Sequence, residues 1–589
     1  MDRKNIIMLL TGISISVAIF VGCHASADDP AGQAEELSDP VRRENAVDNL
    51  NRLYTQALSA ADNDRSVETI TGEDGRQRPG PKAIADASIE ALVQTYVNNP
   101  DATQIGERIL RLLVEMQDPR SIPALIEALE WRAETTENHA IAAAQALERM
   151  EIPDDQKGPV IEALSQALDR VQQARGIDNR MRIGFIRALG ALEDRRATPI
   201  LTKIATRINE DQNFLINRMA AEELGTLSDP AAVDDMIKGL FLFAPNRPDM
   251  RMNDVAAQAL VQIGRPAYDP LVATLRGENE VATRIATNFI GAVRQVNEEA
   301  AGKMDPETEV VNEACRAIGQ LGFREGIDPL MSRVTPLTEM SPGDIGEEQR
   351  AEITRAVTCV TSLVQLNREE SDTPRLRQAL IDTYGHIPED WPPEAPYTTR
   401  LQIIAGMQHT FDPGLLDFLH DIAGDRDALA DFRAVAFIAE AMLAGREQVA
   451  RLRSTTTAEP EGGQLRTRFE EFGPALDTAQ ECGDNLQCYI GKLADDNAMV
   501  VRKAAYMIAR YGRGNADAIA PLIEHLDHDD TQVRGDVLYA IDWIATSGSA
   551  EAVAEIDRIR EAEEGRSSWN QVKELAMAVR ARLQARTGG

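Results

Sequence analysis

The sequence predicts an all-α solenoid, and three observations carry that prediction. One apolar template, i, i+3, i+4, i+7, recurs along the chain at near-constant spacing, the mark of stacked helical units. Hydrophobic residues are 43% of the 589 but aromatics only 4%, so small and aliphatic side chains must build the core. Long stretches are rich in Ala, Leu, Glu and Arg, which favour helix.

The template appears as Ile122, Leu125, Ile126, Leu129; as Ala197, Ile200, Leu201, Ile204; as Val233, Met236, Ile237, Leu240; and as Tyr268, Leu271, Val272, Leu275. Later copies start at Ile327, Leu415, Leu486 and Ile519. Each set occupies one face of a 3.6-residue helix. Starts at 197, 233 and 268 lie 36 and 35 residues apart, and those at 486 and 519 lie 33 apart. Pro123, Pro199, Pro270, Pro329 and Pro521 fall in first turns, where a missing amide costs nothing. Between these helices lies a second type with small residues at packing positions. Examples are Leu189-Gly190-Ala191-Leu192, Leu224-Gly225-Thr226-Leu227 and Ile318-Gly319-Gln320-Leu321, where glycine admits a neighbouring backbone or closes the helix. Asp118-Pro119, Asp229-Pro230 and Asp412-Pro413 supply the turn into the next unit.

Leu493-Ala494-Asp495 followed by Val501-Arg502-Lys503-Ala504-Ala505, and Leu526-Asp527 followed by Val533-Arg534, resemble the HEAT-repeat signature. The short period is similar to the subtype named after phycobilisome-linker lyases. The resemblance covers about three quarters of residues 39–583, and is good at the C-terminus and degenerate in the middle. It implies a right-handed α-α superhelix of tandem HEAT-like helix pairs. It also implies ladders between a loop Asp and a helical Arg, here Asp495, Arg502, Asp527 and Arg534.

Three stretches break the pattern: residues 61–81, 335–350 and 386–399. Insertions in a solenoid often decorate its binding face. The last contains Trp391-Pro392-Pro393, which is either a packed corner or an aromatic anchor for a partner. Thr455–Gly463 reads as a linker, dividing a main array at 39–454 from a C-terminal array at 464–583 with a tail at 584–589.

Asp2-Arg3-Lys4 followed by an apolar run from Ile6 to Gly22 has the shape of an export signal at residues 1–22. Phe20-Val21-Gly22-Cys23 resembles a bacterial lipobox, with Phe20 in place of the usual Leu, and makes Cys23 the expected lipid attachment site. Ala25-Ser26-Ala27 is a rival cleavage site that would release a soluble chain from Asp28, and an uncleaved anchor is a third reading. His24, unlike the Asp tied to inner-membrane retention, points to an outer-membrane lipoprotein facing the periplasm or surface. Residues 23–38 are then expected as a tether.

The formal charge of −33, from 62 Lys and Arg against 95 Asp and Glu, repels nucleic acid and anionic lipid. The membrane is therefore approached only through the N-terminal lipid. No catalytic constellation is present in the sequence: there is no Walker loop, nucleophile elbow or H-E-x-x-H. Deoxyhypusine hydroxylases resemble this repeat and bind iron through His-Glu pairs, but none of the seven histidines here precedes Glu. The one metal-like string, His525 to Asp530, reads chiefly as a helix cap at Asp529 or Asp530, with His525 and His528 as weak zinc candidates. Cys482 and Cys488 form the expected disulfide: with Asp484 as N-cap, Gln487 falls at N3 and Cys488 at N4. Cys315 and Cys359, on apolar faces of successive second-type helices, are expected as buried free thiols, with a bridge between them as the alternative. The resulting expectation is a non-enzymatic, cofactor-free, monomeric scaffold for a protein or peptide partner. An enzyme with its site in the inserted loops and a metal-responsive regulator are the alternatives.

Overall fold

The computed structural model describes residues 25–72, 74–99, 103–130, 137–173, 179–208, 213–367, 369–388, 400–545, 549–566 and 571–587. It is an all-α superhelical repeat fold. Among the described residues, strand occurs only in two short antiparallel hairpins, Thr69–Thr71 with Gln77–Pro79 and Phe243–Ala244 with Arg247–Arg251. The first lies inside the 61–81 interruption, so that insertion is an ordered hairpin leading into helix Pro81–Asn98. The 335–350 interruption is a continuation of helix Ile327–Thr338 followed by two 3-10 turns.

The fold divides into two compact units, residues 1–174 and 175–589. The linker expected at 455–463 is therefore not the boundary. Residues 455–458 finish helix Arg446–Ala458, and Glu459 is buried against Arg433. A run of Thr and small polar residues reads as linker in sequence, yet here Thr455 and Thr456 hydroxyls return to carbonyls one turn back and the helix continues.

In the first unit the expected tether is also structured where it is described. Asp29 caps helix Pro30–Glu36 by accepting from the Ala31 amide, and Pro30 opens its first turn. Leu37 is buried, and Arg52 donates to Ala27 O at 2.8 Å. The apolar residues Ala34 and Leu37 give this segment a face to bury, which a free tether lacks. Residues 1–24, with the export signal and Cys23, lie outside the described residues.

One loop device joins successive helix pairs. Gln117, Glu193, Ser228 and Phe411 adopt φ of 51, 49, 47 and 53°. Each stands immediately before an aspartate, Asp118, Asp194, Asp229 or Asp412. The Oδ1 of that aspartate accepts from the amide two residues on, at 2.9, 2.9, 3.1 and 2.8 Å. The left-handed residue ends one helix and the aspartate caps the 3-10 turn that opens the next, so two residues satisfy both helix ends.

The glycines of the second helix type act by close approach. A Cβ on Gly225, in helix Phe214–Leu227, would sit 3.0 Å from Ala259 Cα of helix Asn253–Ile263. A Cβ on Gly319, in helix Pro306–Leu321, would sit 2.9 Å from Ser362 O of helix Arg350–Leu363. The latter two helices are also joined by a Cys315–Cys359 disulfide, both residues 0% exposed. The free-thiol expectation is thus corrected: apolar burial alone does not distinguish a thiol from a half-cystine, and only the helix pairing brings their Cα atoms to 5.1 Å.

The second unit departs from nearest-neighbour stacking. Lys503 of helix Ala498–Tyr511, 0% exposed, donates to the carbonyls of Ala441, Met442 and Ala444 at 2.9, 2.9 and 2.6 Å. Arg510 donates to Leu443 O at 2.8 Å. Together they cap helix Ala430–Leu443 across the stretch where a linker was expected. Helix Gln571–Thr587 packs on Thr531–Ile544 and also on Asn253–Ile263 and Pro306–Leu321. Its Arg582 pairs with Asp542 at 2.7 Å and donates to Gln320 O at 2.9 Å. Within this unit the chain's end therefore returns to its earlier helices.

Gly319→Ala is expected to lower stability although alanine is the better helix former. Overpacking costs about 1–3 kcal/mol against about 1 kcal/mol of propensity gained. Gly291→Ala, in helix Glu280–Val296 with nothing within 4 Å of the added Cβ, should instead stabilise by about 0.5–1 kcal/mol. Denaturant midpoints of the two variants on either side of the wild type check this.

Candidate functional site

Two cavities of the second unit gather the polar and aromatic side chains of interest here. The first, about 400 Å³, lies among helices Thr373–His386, Arg400–Gln408, Leu416–Gly424 and Ala430–Leu443. Tyr384 and Phe418 meet edge to face at 5.3 Å, and Phe432 and Ile422 complete the apolar wall. Leu429, 46% exposed, stands at the rim in the turn before helix Ala430–Leu443. Arg400 stacks over Tyr384 at 4.6 Å and donates Nη2 to Ile387 O at 2.7 Å, so its charge is engaged. Asp421, Asp425 and Asp427 also line the cavity, and among the described residues none of the three forms an ion pair. The result is an aromatic pocket with an acidic rim. Trp391, the aromatic singled out in the sequence, lies outside the described residues.

The second cavity, about 320 Å³, is lined by Gln408, His409, Arg502, Gln532, Asp536, Tyr539, Val572 and Leu575 among others. Its wall is a connected polar network drawn from helices far apart in sequence. Arg502 holds Asp536 at 2.6 Å through Nε and Gln532 Oε1 at 2.7 Å through Nη1. Asp536 Oδ1 accepts a hydrogen bond from the Tyr506 hydroxyl at 3.3 Å. The hydroxyl oxygen accepts from Gln408 Nε2 and lies 3.2 Å from His409 Nδ1. The imidazole ring stacks on Tyr539 with centroids 4.1 Å apart. Burial and then the neighbouring Arg502 charge push His409 down to about 4. Burial raises the Asp536 carboxyl, opposed by Arg502, and raises Tyr506 well above a free phenol.

Of the residues expected to form the ladder, the structure brings together only parts. Arg502 turns forward to Asp536 on the next helix, and Asp495 instead caps its own turn by accepting from the Asn497 amide at 2.9 Å. Arg534 donates to His528 O and Asp529 O at 2.7 and 2.9 Å and meets Glu563 at 2.6 Å, while Asp527 lies 3.7 Å from Arg558. Asp495 is thus held by its own turn, whereas Asp527 lies against Arg558 of helix Ala550–Arg566. His525 Nδ1 sits on Pro521 O at 2.8 Å, and His528 Nδ1 accepts from the Asp530 amide at 2.9 Å. Asp530 caps helix Thr531–Ile544. Among the described residues no group of three or more His, Cys, Asp and Glu is placed to hold a metal.

Cys482 and Cys488 are joined by a disulfide. Their local frame differs from the capping box read in sequence. Cys482 ends helix Gly473–Cys482, and Asn485 caps helix Leu486–Lys492 by accepting from the Cys488 amide. Asp484 Oδ1 instead accepts from Tyr511 Oη at 2.9 Å. The residues that sequence reasoning missed, Gln408, His409, Tyr506, Asp536 and Tyr539, lie on three separate repeats. The only local signal is the polar i, i+4 pair Arg502 and Tyr506 on a helix otherwise apolar on that side.

The fold is that of an all-α helical-repeat protein. Residues 107–130 match the family profile of the PBS lyase HEAT-like repeat. No curated protein matches the chain. Among solved structures, an engineered protein is similar at 15% identity, over 94% of this chain and 98% of its own, with a TM-score of 0.25. Kap121p bound to Pho4p is similar at 12% identity over 91% of this chain, with a TM-score of 0.36. This chain spans 54% of that protein's chain. Importin beta is similar at 12% identity, over 95% and 72% of the two chains, with a TM-score of 0.32. Likenesses of this size carry no functional inference.

Two outcomes are expected from these arrangements. A histidine with folded pKa near 4 and unfolded pKa near 6.5 leaves the unfolded chain holding an extra proton between those values. Its contribution to stability is therefore intact above pH 6.5 and is lost progressively as pH falls toward 4. His409→Gln should flatten that part of the wild-type stability–pH curve, measured by urea unfolding from pH 7.5 to 4. Of the two disulfides, the Cys315–Cys359 loop of 44 residues should contribute about 4 kcal/mol and the Cys482–Cys488 loop of 6 about 2 kcal/mol in the chain-entropy model. Cys315→Ala/Cys359→Ala should thus destabilise more than Cys482→Ala/Cys488→Ala. Mild reductant should open the more accessible 482–488 bridge first.

Proposed function

We propose that this chain is an exported, non-catalytic HEAT-repeat scaffold that holds a protein or peptide partner and is tied to the cell envelope by a lipid on Cys23. The observation that carries the partner reading is the aromatic cavity with its acidic rim. Tyr384, Phe418, Phe432 and the exposed Leu429 offer an apolar anchor point. Asp421, Asp425 and Asp427 favour positive charge beside it, in a chain whose formal charge is already −33. The partner segment that fits is basic, with one bulky apolar side chain. Two disulfides support an oxidising compartment, in keeping with the charged start and apolar run of residues 2–22. No described helix is long and apolar enough to cross a membrane.

Crosslinking in envelope extracts should capture a protein partner whose yield falls about tenfold with Leu429→Glu, an exposed substitution that leaves the core intact. Equal capture by the variant would remove the cavity from the interface. Cys23→Ala should shift the protein from the membrane fraction to the soluble periplasm or block its processing. Unchanged fractionation with a mature start at Asp28 would defeat the lipid anchor.

A further inference from the structure

The cavity around His409 and Asp536, about 320 Å³, is finished only when the chain's end returns to it. Its wall is drawn from helices Arg400–Gln408, Ala498–Tyr511 and Thr531–Ile544, and Val572 and Leu575 of helix Gln571–Thr587 complete it.

The polar side of that wall has hydrogen-bonding capacity to spare. Arg502 uses Nε on Asp536 and Nη1 on Gln532, and its Nη2 makes no hydrogen bond among the described residues. Gln532 spends Oε1 on Arg502, and its Nε2 has no partner there. His409 is engaged through Nδ1 alone. Each Asp536 oxygen accepts one hydrogen bond, from Arg502 or from Tyr506, and a carboxylate oxygen takes two. Donors and an acceptor are therefore both open around one space.

Charge narrows what can fill it. Among the described residues that line the cavity only Arg502 and Asp536 are charged, and they hold each other at 2.6 Å. Burial and the nearby Arg502 charge hold His409 neutral down to about pH 4. An anion would meet Asp536 and a cation would meet Arg502, each at a pair already balanced. A neutral ligand meets neither cost.

Shape narrows it further. Gly535, in the second turn of helix Thr531–Ile544, lines the cavity, and a Cβ added there meets nothing within 4 Å. A glycine inside a helix costs about 1 kcal/mol against alanine. Here it leaves bare helix backbone beside the space. Val572, Leu575 and the Tyr539 ring set apolar surface next to the polar groups.

We infer that this cavity binds a neutral hexopyranose, free or as the end residue of a glycan. Ring hydroxyls accept from Arg502 Nη2 and Gln532 Nε2, another donates to Asp536, and a C–H face lies on Val572, Leu575 and Tyr539. A hydroxyl both donates and accepts, so it suits His409 Nε2 in either tautomer. The volume is at the small end of ligand sites, the scale of a single sugar ring. The site is separate from the aromatic cavity assigned to the protein partner, and the inference does not rest on that assignment.

Saturation-transfer NMR on the full chain with D-glucose, D-galactose, D-mannose and their methyl glycosides tests it. At least one neutral hexose should bind. Loss of binding in its methyl glycoside identifies the free sugar as the source, and retained binding identifies a glycan end. The uronate and the primary-amine analogue of that hexose, charged at the same carbon, should each bind more weakly. Gly535→Leu puts a better helix former in place and a side chain into the cavity, so it should abolish the signal without lowering the melting temperature. Gln532→Ala, an exposed change, should weaken binding about twofold to tenfold, the loss of one hydrogen bond. Thermal melts check that each variant is folded, and Gln532→Ala carries the test if Gly535→Leu is not. No transfer to any neutral hexose at millimolar concentration, tighter binding of either charged analogue, or binding indifferent to the substitutions overturns the assignment.

Discussion

The carbonyls of Ala441, Met442, Leu443 and Ala444 end a helix and have no partner within it, and the arrangement of the second unit depends on how they are satisfied. Lys503 takes three of them and Arg510 the fourth. Burial and the nearby Arg510 push the Lys503 pKa down. Three acceptors at the negative end of a helix are nevertheless what an ammonium group requires. Removing such a donor leaves several buried carbonyls unpaired, which is among the most damaging single changes a core can suffer. The contact therefore fixes helix Ala498–Tyr511 in azimuth as well as position.

Once that helix is fixed, its other faces are fixed too. Arg502 and Tyr506, four residues apart, reach the His409 side and close the network through Asp536. Tyr511 and Arg513, just beyond, line a further cavity on the other side, with Arg377 and Arg510. The 408–413 segment lies between that cavity and the histidine one and contributes to both, so the cap on one helix, the histidine network and the arginine-lined pocket form one mechanical unit.

The repeat loops show how a regular device becomes a specialised one. A left-handed residue followed by a capping aspartate recurs with the same backbone, and in most copies both carboxylate oxygens are used locally. At Phe411-Asp412 the backbone is unchanged, and the second oxygen turns to Arg377 of helix Thr373–His386, 3.5 Å away.

How much of this was legible in the sequence follows from the range of each interaction. Helix type, the first-turn prolines, the Asp-Pro turns and the tight glycines depend on neighbours within a turn or on a repeated partner, and their spacing appears in the chain itself. The Cys482–Cys488 proximity is of the same kind. The state of residues 25–38, of 455–463 and of Cys315 and Cys359 is not legible in the sequence for one reason: each is set by helices that sequence spacing does not bring together. The histidine network joins residues 97 and 98 apart, and Arg582 meets Gln320 across 262 residues. Local periodicity determined the all-α repeat, because helix formation and capping are short-range. Tertiary structure alone decided which polar groups are buried together, because that depends on how far the array curls back, a sum of small rotations that no single repeat encodes.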